Sequence, residues 1–297
     1  MSSPRTAFFT PDGDAFVPEP IARGPWGQTI SGNYVGGLLG HIVERAAGDP
    51  DFQPTRLTVD LFRPAALAPV RVETTVARQG RRLRLVDATM LQDGTAHARS
   101  KNTTAHARSK NTTAHARSKN ATVVARASAL FLRRGEQPAD DIWSTPITMP
   151  PAPPTPDPVP RGLTTLVWTY GRDDHTPGPG FGLAAWQHSG PKHIWVRDIR
   201  PLVAGVELTP FTRAAMAGDM VSSLTNFGPS GLQYINADYT VALARLPKGP
   251  YLGLTALTHY SHDGVATGVA TLVDEYGPIG SGVANALANP GFDPPHP

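Results

Sequence analysis

The sequence predicts an α+β protein of two like halves, each a helix laid across a curved antiparallel sheet. Three observations predict it. Each half holds one stretch of helical periodicity among segments that alternate apolar and polar residues. Short turns rich in Gly, Asp and Pro separate those segments, as antiparallel connections require. Residues 146–160 carry eight prolines and divide the chain as a semi-rigid extended linker. The predicted boundaries are therefore 1–145, the linker 146–160, and 161–297.

The bulk numbers narrow the function classes. With 297 residues and 40% of them apolar, the chain can bury a real core. There is no cysteine, so disulfides, zinc–thiolate sites and thiol catalysis are excluded. The formal charge of +3 comes from one segment. Residues 95–121 hold six bases and no acid, and without them 21 basic residues face 24 acidic ones. No basic stripe interleaved with aromatics remains, so nucleic acid is not an expected partner. No apolar run nears the ~18 residues of a membrane helix, and the first ten residues lack a signal-peptide core, so a cytoplasmic location is expected.

In the first half, residues 6–20 read as two short strands about a turn at Asp12-Gly13. Gly24-Pro25-Trp26-Gly27 is a turn. A helix follows from Ser31, in which Tyr34, Leu38, Leu39, Ile42 and Ala46 keep a 3.6-residue period. Its several glycines each cost roughly 1 kcal/mol against alanine. Two reasons for them stay open: close packing, or approach of backbone to a ligand with free N–H groups at the helix start. Leu57, Val59 and Leu61, then Val70, Val72 and Val76, then Leu83 and Leu85 alternate with polar residues as strands, with turns at Arg63-Pro64 and Gln79-Gly80.

Residues 95–121 repeat Thr-Ala-His-Ala-Arg-Ser-Lys-Asn-Thr, twice in full and once ending in Ala121. An odd period turns each copy of a strand to the opposite face, and no large apolar residue is present to bury. The segment reads as a solvated expansion of a hairpin loop rather than a metal site built on His97, His106 and His115. Excising it leaves an Asp93-Gly94 turn between two strands.

The second half repeats the plan. Strands over 166–170 and 194–200 precede a helix capped by Thr209 and opened by Pro210. Strands over 234–243, 251–260, 268–275 and 279–287 follow, with turns at Asp263-Gly264 and Tyr276-Gly277. Gln92-Asp93-Gly94 is matched to His262-Asp263-Gly264 in this alignment of the halves. His259 and His262 flank a turn as exposed polar residues. Gly178-Pro179-Gly180-Phe181-Gly182 lacks both the lysine and the helix of a phosphate loop. No Gly-x-Ser-x-Gly elbow exists.

What remains is Asp219, late in a small, apolar helix, with Asn236 or Asp238 on the next strand and Asn285 on the last. A carboxylate and two amides can orient and deprotonate a water. Capping and rim roles for Asp219 and a sheet-edge role for Asn285 are the plain alternatives.

The sequence resembles the type II acyl-CoA thioesterases with a double hotdog fold, in their actinobacterial branch. The residues that carry the resemblance are Gly24-Pro25-Trp26, the run from Arg56 to Pro64, the run from Arg200 to Glu207, the run from Ile235 to Val241, and Tyr276-Gly277-Pro278-Ile279-Gly280. It spans nearly the whole chain except the repeat and the linker. It implies two hotdog units fused in one chain, their sheets joined edge to edge, and hydrolysis of a fatty acyl-CoA by an activated water with neither metal nor other cofactor. Asp219 matches the family's aspartate, and Asn285 lies where its glutamine is expected, one methylene shorter. The family's threonine position falls at Ile235 or Asn236. Gly32, Asn33 and Tyr34 align with the glycine-rich helix start that polarises the thioester carbonyl. The implied partner is acyl-CoA, with association of copies through the hotdog sheets also open. The alternative reading is a hotdog protein that binds acyl-CoA or acyl chains without cleaving them.

Overall fold

The structure, a computed structural model, describes residues 6–93, 121–159, 163–171, 182–289 and 291–292. Most of the repeat therefore lies outside the described residues.

The chain opens with β1 (Phe9–Asp12) and β2 (Ala15–Pro18), then α1 (Gly32–Ala47), β3 (Phe52–Leu61), β4 (Val70–Gln79), β5 (Leu83–Asp93) and β6 (Ala121–Arg133). The second half supplies β7 (Thr165–Tyr170), β8 (His193–Asp198), α2 (Pro210–Gly218) and α3 (Met220–Asn226). The small pair β9 (Phe227–Gly228) and β10 (Gly231–Leu232) follows, then β11 (Tyr234–Leu243), β12 (Leu252–His262), β13 (Val265–Asp274) and β14 (Gly277–Ala288). Twelve strands form one antiparallel sheet in the order β1-β2-β4-β5-β6-β3-β11-β14-β13-β12-β8-β7. Its first six strands come from the first half and its last six from the second, joined where β3 pairs β11. At that seam Thr58 and Thr240 share a side-chain hydrogen bond of 2.9 Å. The sheet curls, so that Phe9 of β1 bridges to Val203, just past β8.

The strand order corrects one sequence expectation. Read outward from the seam, β6 answers β14, β5 answers β13 and β4 answers β12. The Asp263-Gly264 turn therefore corresponds to the β4–β5 connection, and the Asp93-Gly94 position corresponds to the turn before β14.

α1 ends at Gly48, whose φ of 58° is the left-handed conformation that glycine adopts without a Cβ penalty. Its inner face buries Val35, Leu38, Leu39 and Val43. Most of its glycines are explained by packing. A methyl at Gly40 would lie 2.6 Å from the Ala215 methyl, and one at Gly37 would lie 2.5 Å from Met216. At Gly36 it would overlap the Tyr239 hydroxyl. Tyr239 is fully buried on β11, sits against both Gly36 and Gly218, and donates to the Ala215 carbonyl at 2.9 Å. The two helices thus approach closely because one offers hydrogen where the other offers a small side chain.

The second helix departs from expectation. Thr209 caps it as its sequence foretold, accepting from the Thr212 N–H at 3.0 Å. It then breaks at Asp219 into α2 and α3. There the Ser222 N–H bonds the carbonyl of Asp219, three residues back, as in a tightened turn.

The proline-rich stretch is more than a spacer. It straps the outer face of β7, β8 and β12, where Ile147, Met149, Ala152 and Val159 pack on a buried cluster that includes Trp168, Trp195 and Tyr251. The Trp195 indole donates to the Pro150 carbonyl at 2.8 Å, and Thr155 bonds the Tyr251 hydroxyl at 2.7 Å. No helix among the described residues is long and apolar enough to cross a membrane.

Candidate active site

A cavity of about 1180 Å³ opens between the start of α1, the α2–α3 break and the inner face of β7 and β8. Asp219 lies on its wall. The helix break turns the carboxylate toward the start of α1, where it takes the Asn33 N–H, while the Asn236 amide donates to its Oδ1 at 2.9 Å. Burial raises the Asp219 pKa to about 6, against the lowering effect of those two hydrogen bonds. Gly32 is the glycine this carboxylate requires, because any Cβ there would overlap it.

The structure brings Asp219 and Asn236 together and leaves Asn285 out. A β-bulge at Ala237 is the reason. It sets Asn236 opposite Ala286, on the face toward the helices, and sets Asp238 opposite Asn285. Asn285 is exposed and donates its amide to both Asp238 carboxylate oxygens at 3.0 Å. Its strand neighbours Ala284 and Ala286 are the buried ones. The expectation that Asn285 joins the water site is therefore corrected: it sits on the other side of the sheet and lines no part of the cavity.

The three residues at the start of α1 also separate. The Asn33 N–H is spent on Asp219, and the Tyr34 N–H bonds the Ser31 carbonyl at 3.0 Å. Of these three, Gly32 alone has an N–H with no hydrogen-bond partner among the described residues. The Asn33 side chain ties the two helices by donating to the Met216 carbonyl at 3.0 Å. The Tyr34 ring stacks on Phe8, with centroids 3.8 Å apart, and its hydroxyl lies beside Thr164 and Thr165.

Several lining residues went unnoticed in the sequence. Trp26, Phe292, Phe227 and Trp186 form a row of edge-to-face aromatics along the cavity, with centroids 5.5 to 6.2 Å apart. Asp198 also lines it, and alternation along β8 could have found this one: Ile194, Val196 and Asp198 share a face. Among the described residues no three His, Asp or Glu side chains are grouped to hold a metal. His259 bonds Asn226 and Ser261, and His262 lies by Asp263.

Residues 22–132 match the family model described as the acyl-CoA thioesterase N-terminal domain. Among solved structures the chain is similar to the tesB protein of Mycobacterium avium subspecies paratuberculosis, at 13% identity, covering 95% of this chain and 96% of that one, with a TM-score of 0.59. It is similar to the acyl-CoA thioesterase II TesB2 of Mycobacterium marinum, at 16% identity over 94% of each chain, TM-score 0.54. A third likeness is to a conserved protein of unknown function with a hot dog fold from Alicyclobacillus acidocaldarius, at 19% identity over 95% of each chain, TM-score 0.53. At such identities these likenesses speak for the fold. No curated protein sequence matches the chain. An acyl-CoA thioesterase N-terminal domain is thus matched from the turn before α1 to the end of β6, on a chain that has the fold of the hotdog structures over nearly its whole length, and this domain supports a thioester hydrolase.

Proposed function

We propose that the protein hydrolyses a fatty acyl-CoA to the free acid and CoA, using a water that Asp219 orients and deprotonates. The observation that carries this reading is the grouping of the Asp219 carboxylate, the Asn236 amide that holds it and the unpaired Gly32 N–H on one wall of the cavity. Asp219 takes a proton from the water as the water oxygen bonds to the thioester carbonyl carbon. The Gly32 N–H donates to the oxygen on which charge develops; such a donor is typically worth ~3 kcal/mol in the transition state. Collapse of the tetrahedral adduct breaks the carbon–sulfur bond, and the sulfur takes the proton back from Asp219. A carboxylate raised to about 6 is a better base for this than an ordinary aspartate, yet is ionised at neutral pH. Arg23 and Arg63 on the lining suit the phosphates of CoA, and the apolar face of Val167, Ile194, Val196 and Trp186 suits the acyl chain.

On the same reading the chain is two fused hotdog units, 1–145 and 161–297, joined by 146–160. The mirrored strand order about the β3–β11 seam supports it. One observation favours binding without hydrolysis: Asn285, aligned with the family's glutamine, is absent from the cavity wall.

CoA release from short, medium and long acyl-CoAs tests the proposal, with Asp219→Asn alongside. We expect a loss of about 10²- to 10⁴-fold in kcat, the range of general-base contributions, with the melting temperature kept. Equal turnover in the variant sinks the role of Asp219. No turnover in either protein, with acyl-CoA still raising the melting temperature, establishes the binding reading instead.

A further inference from the structure

A second carboxylate, half-buried, lies on the cavity wall apart from Asp219. Asp198 stands at the end of β8, opposite Thr165 of β7 in the strand register. Alternation places it in one row with Val196 and Ile194, and all three line the cavity with Val167. The opposite face of these strands carries Leu166, Trp168 and Trp195, beneath the proline strap.

This carboxylate is sparsely satisfied. An ionised carboxylate offers about four acceptor positions. Among the described residues Asp198 takes one side-chain hydrogen bond, from the Thr165 hydroxyl at 3.3 Å, and Arg213 acts on it only through space. Tyr34 places a phenol beside the same group, with Thr164 and Thr165 in reach of its oxygen. Stacking on Phe8 fixes the Tyr34 ring. Burial pushes the Asp198 carboxyl up to about 6. A group so costly to desolvate and so little compensated is out of place on a wall meant only for methylenes. It is well placed to accept a hydrogen bond from a ligand lying along Val196 and Ile194.

We propose that Asp198, with the hydroxyls of Thr165 and Tyr34, forms a polar subsite that accepts a hydroxyl group carried on the acyl chain. The protein then favours hydroxyacyl thioesters over plain ones of equal length. The inference rests on the thioesterase reading for its substrate class, and on the wall itself for its site. The CoA arm also bears hydrogen-bond donors. Asp198, however, continues the apolar row of β8, the surface that suits the chain, and its negative charge disfavours the anionic end of CoA.

The experiment compares kcat/KM for plain acyl-CoAs and for hydroxyacyl-CoAs of the same length, with the hydroxyl moved stepwise along the chain. Wild type, Asp198→Asn and Asp198→Leu are run together, and binding of the corresponding free acids is followed by calorimetry. We expect wild type to prefer one hydroxyl position by about tenfold to a hundredfold, the usual worth of a hydrogen bond to a charged group. That ratio should fall to near one in Asp198→Leu and be partly restored in Asp198→Asn. A wild-type ratio at or below one at every position overturns the subsite. So does a ratio equally high in both variants, or one lowered for all CoA thioesters alike, which assigns Asp198 to the CoA arm. Selective binding of a hydroxy acid with no turnover of any thioester keeps the subsite and sinks the thioesterase reading alone. Turnover without selectivity does the reverse.

Discussion

The two halves lay a helix on a sheet in different ways. α1 runs unbroken for sixteen residues and gives up side chains, presenting Gly32, Gly36, Gly37 and Gly40 to its neighbours. Its counterpart keeps small side chains, Ala214, Ala215 and Ala217, and breaks at Asp219. The difference separates tasks. Gly36, Gly37 and Gly40 let the helices and Tyr239 close up, whereas Gly32 leaves room for a carboxylate. The chemistry then lies where one helix begins and the other is interrupted, because both places leave backbone groups unspent by the helical ladder.

Two substitutions of the same size should break this comparison in different currencies. Gly32→Ala should lower turnover by about 10²-fold, the usual penalty for a catalytic group displaced by about an ångström, with a small effect on stability. Gly36→Ala should cost about 1–3 kcal/mol of stability through overpacking on Tyr239. Urea unfolding and CoA-release kinetics on both variants read the two effects side by side. Equal losses of both kinds in the two variants would show that the glycines do one job.

Asn236 and Asn285 sharpen the contrast further, as amides on facing strands sent opposite ways by one bulge. Asn236→Ala removes a donor to Asp219 and should lower kcat/KM by about 10- to 100-fold. Because that bond holds the Asp219 pKa down, the acid limb of the pH–rate profile should move to higher pH. Asn285→Ala, an exposed change, should stay within about twofold. A larger loss from Asn285 than from Asn236 would reverse the assignment.

The acidity of Asp219 gives a smaller effect on stability. Its folded pKa, about 6, lies above the ordinary 3.8, so the folded state binds the proton more tightly than the unfolded chain does. Stability of wild type relative to Asp219→Asn should therefore be greatest below pH ~4. It should fall as pH rises from ~4 to ~6, and then level off. The drop should be about 1–2 kcal/mol, since water in the cavity screens part of the charge. Asp198 shifts in the same direction but is present in both proteins, so thermal melts of the pair isolate Asp219. A flat difference from pH 4 to 7 would show that the carboxyl is not buried.

Much of this was legible in the sequence, for identifiable reasons. The strands announce themselves by alternation and by turns; Tyr234–Leu243 was read with the bounds that β11 has. Asp219 stood out because a carboxylate late in a small, apolar helix has few structural reasons to be there. What failed was one-residue geometry. A bulge adds no signal to the composition, yet it decides that Asn236 and not Asp238 faces Asp219. Asn285 was misplaced for the same reason, since the parity of β14 can be read only once its partner is known. The proline stretch signals stiffness through its composition, whereas the anchoring role of its apolar residues Ile147, Met149 and Val159 depends on the cluster they meet, which only the fold supplies.

The smallest effect we expect is from the largest change, deletion of residues 95–121. β5 and β6 pair in register up to Gln92 opposite Thr122 and Asp93 opposite Ala121. Joining Gly94 to Thr122 leaves Asp93-Gly94 as a two-residue loop closing the Gln92–Thr122 pair. The protein already holds such a hairpin where β12 meets β13. There His262 pairs with Val265 across Asp263-Gly264, with φ of 48° and 77° at the two loop residues. Two residues of positive φ are what a right-twisted hairpin favours, and Asp-Gly supplies them at little strain. The deletion costs the ion pair that Asp93 makes with Arg71 at 2.7 Å, an exposed contact worth ~0.2–1 kcal/mol. Shortening the loop recovers a comparable closure entropy. The melting temperature should therefore stay within a few degrees of the full chain, whereas a collapse on deletion would show that the repeat packs against the fold.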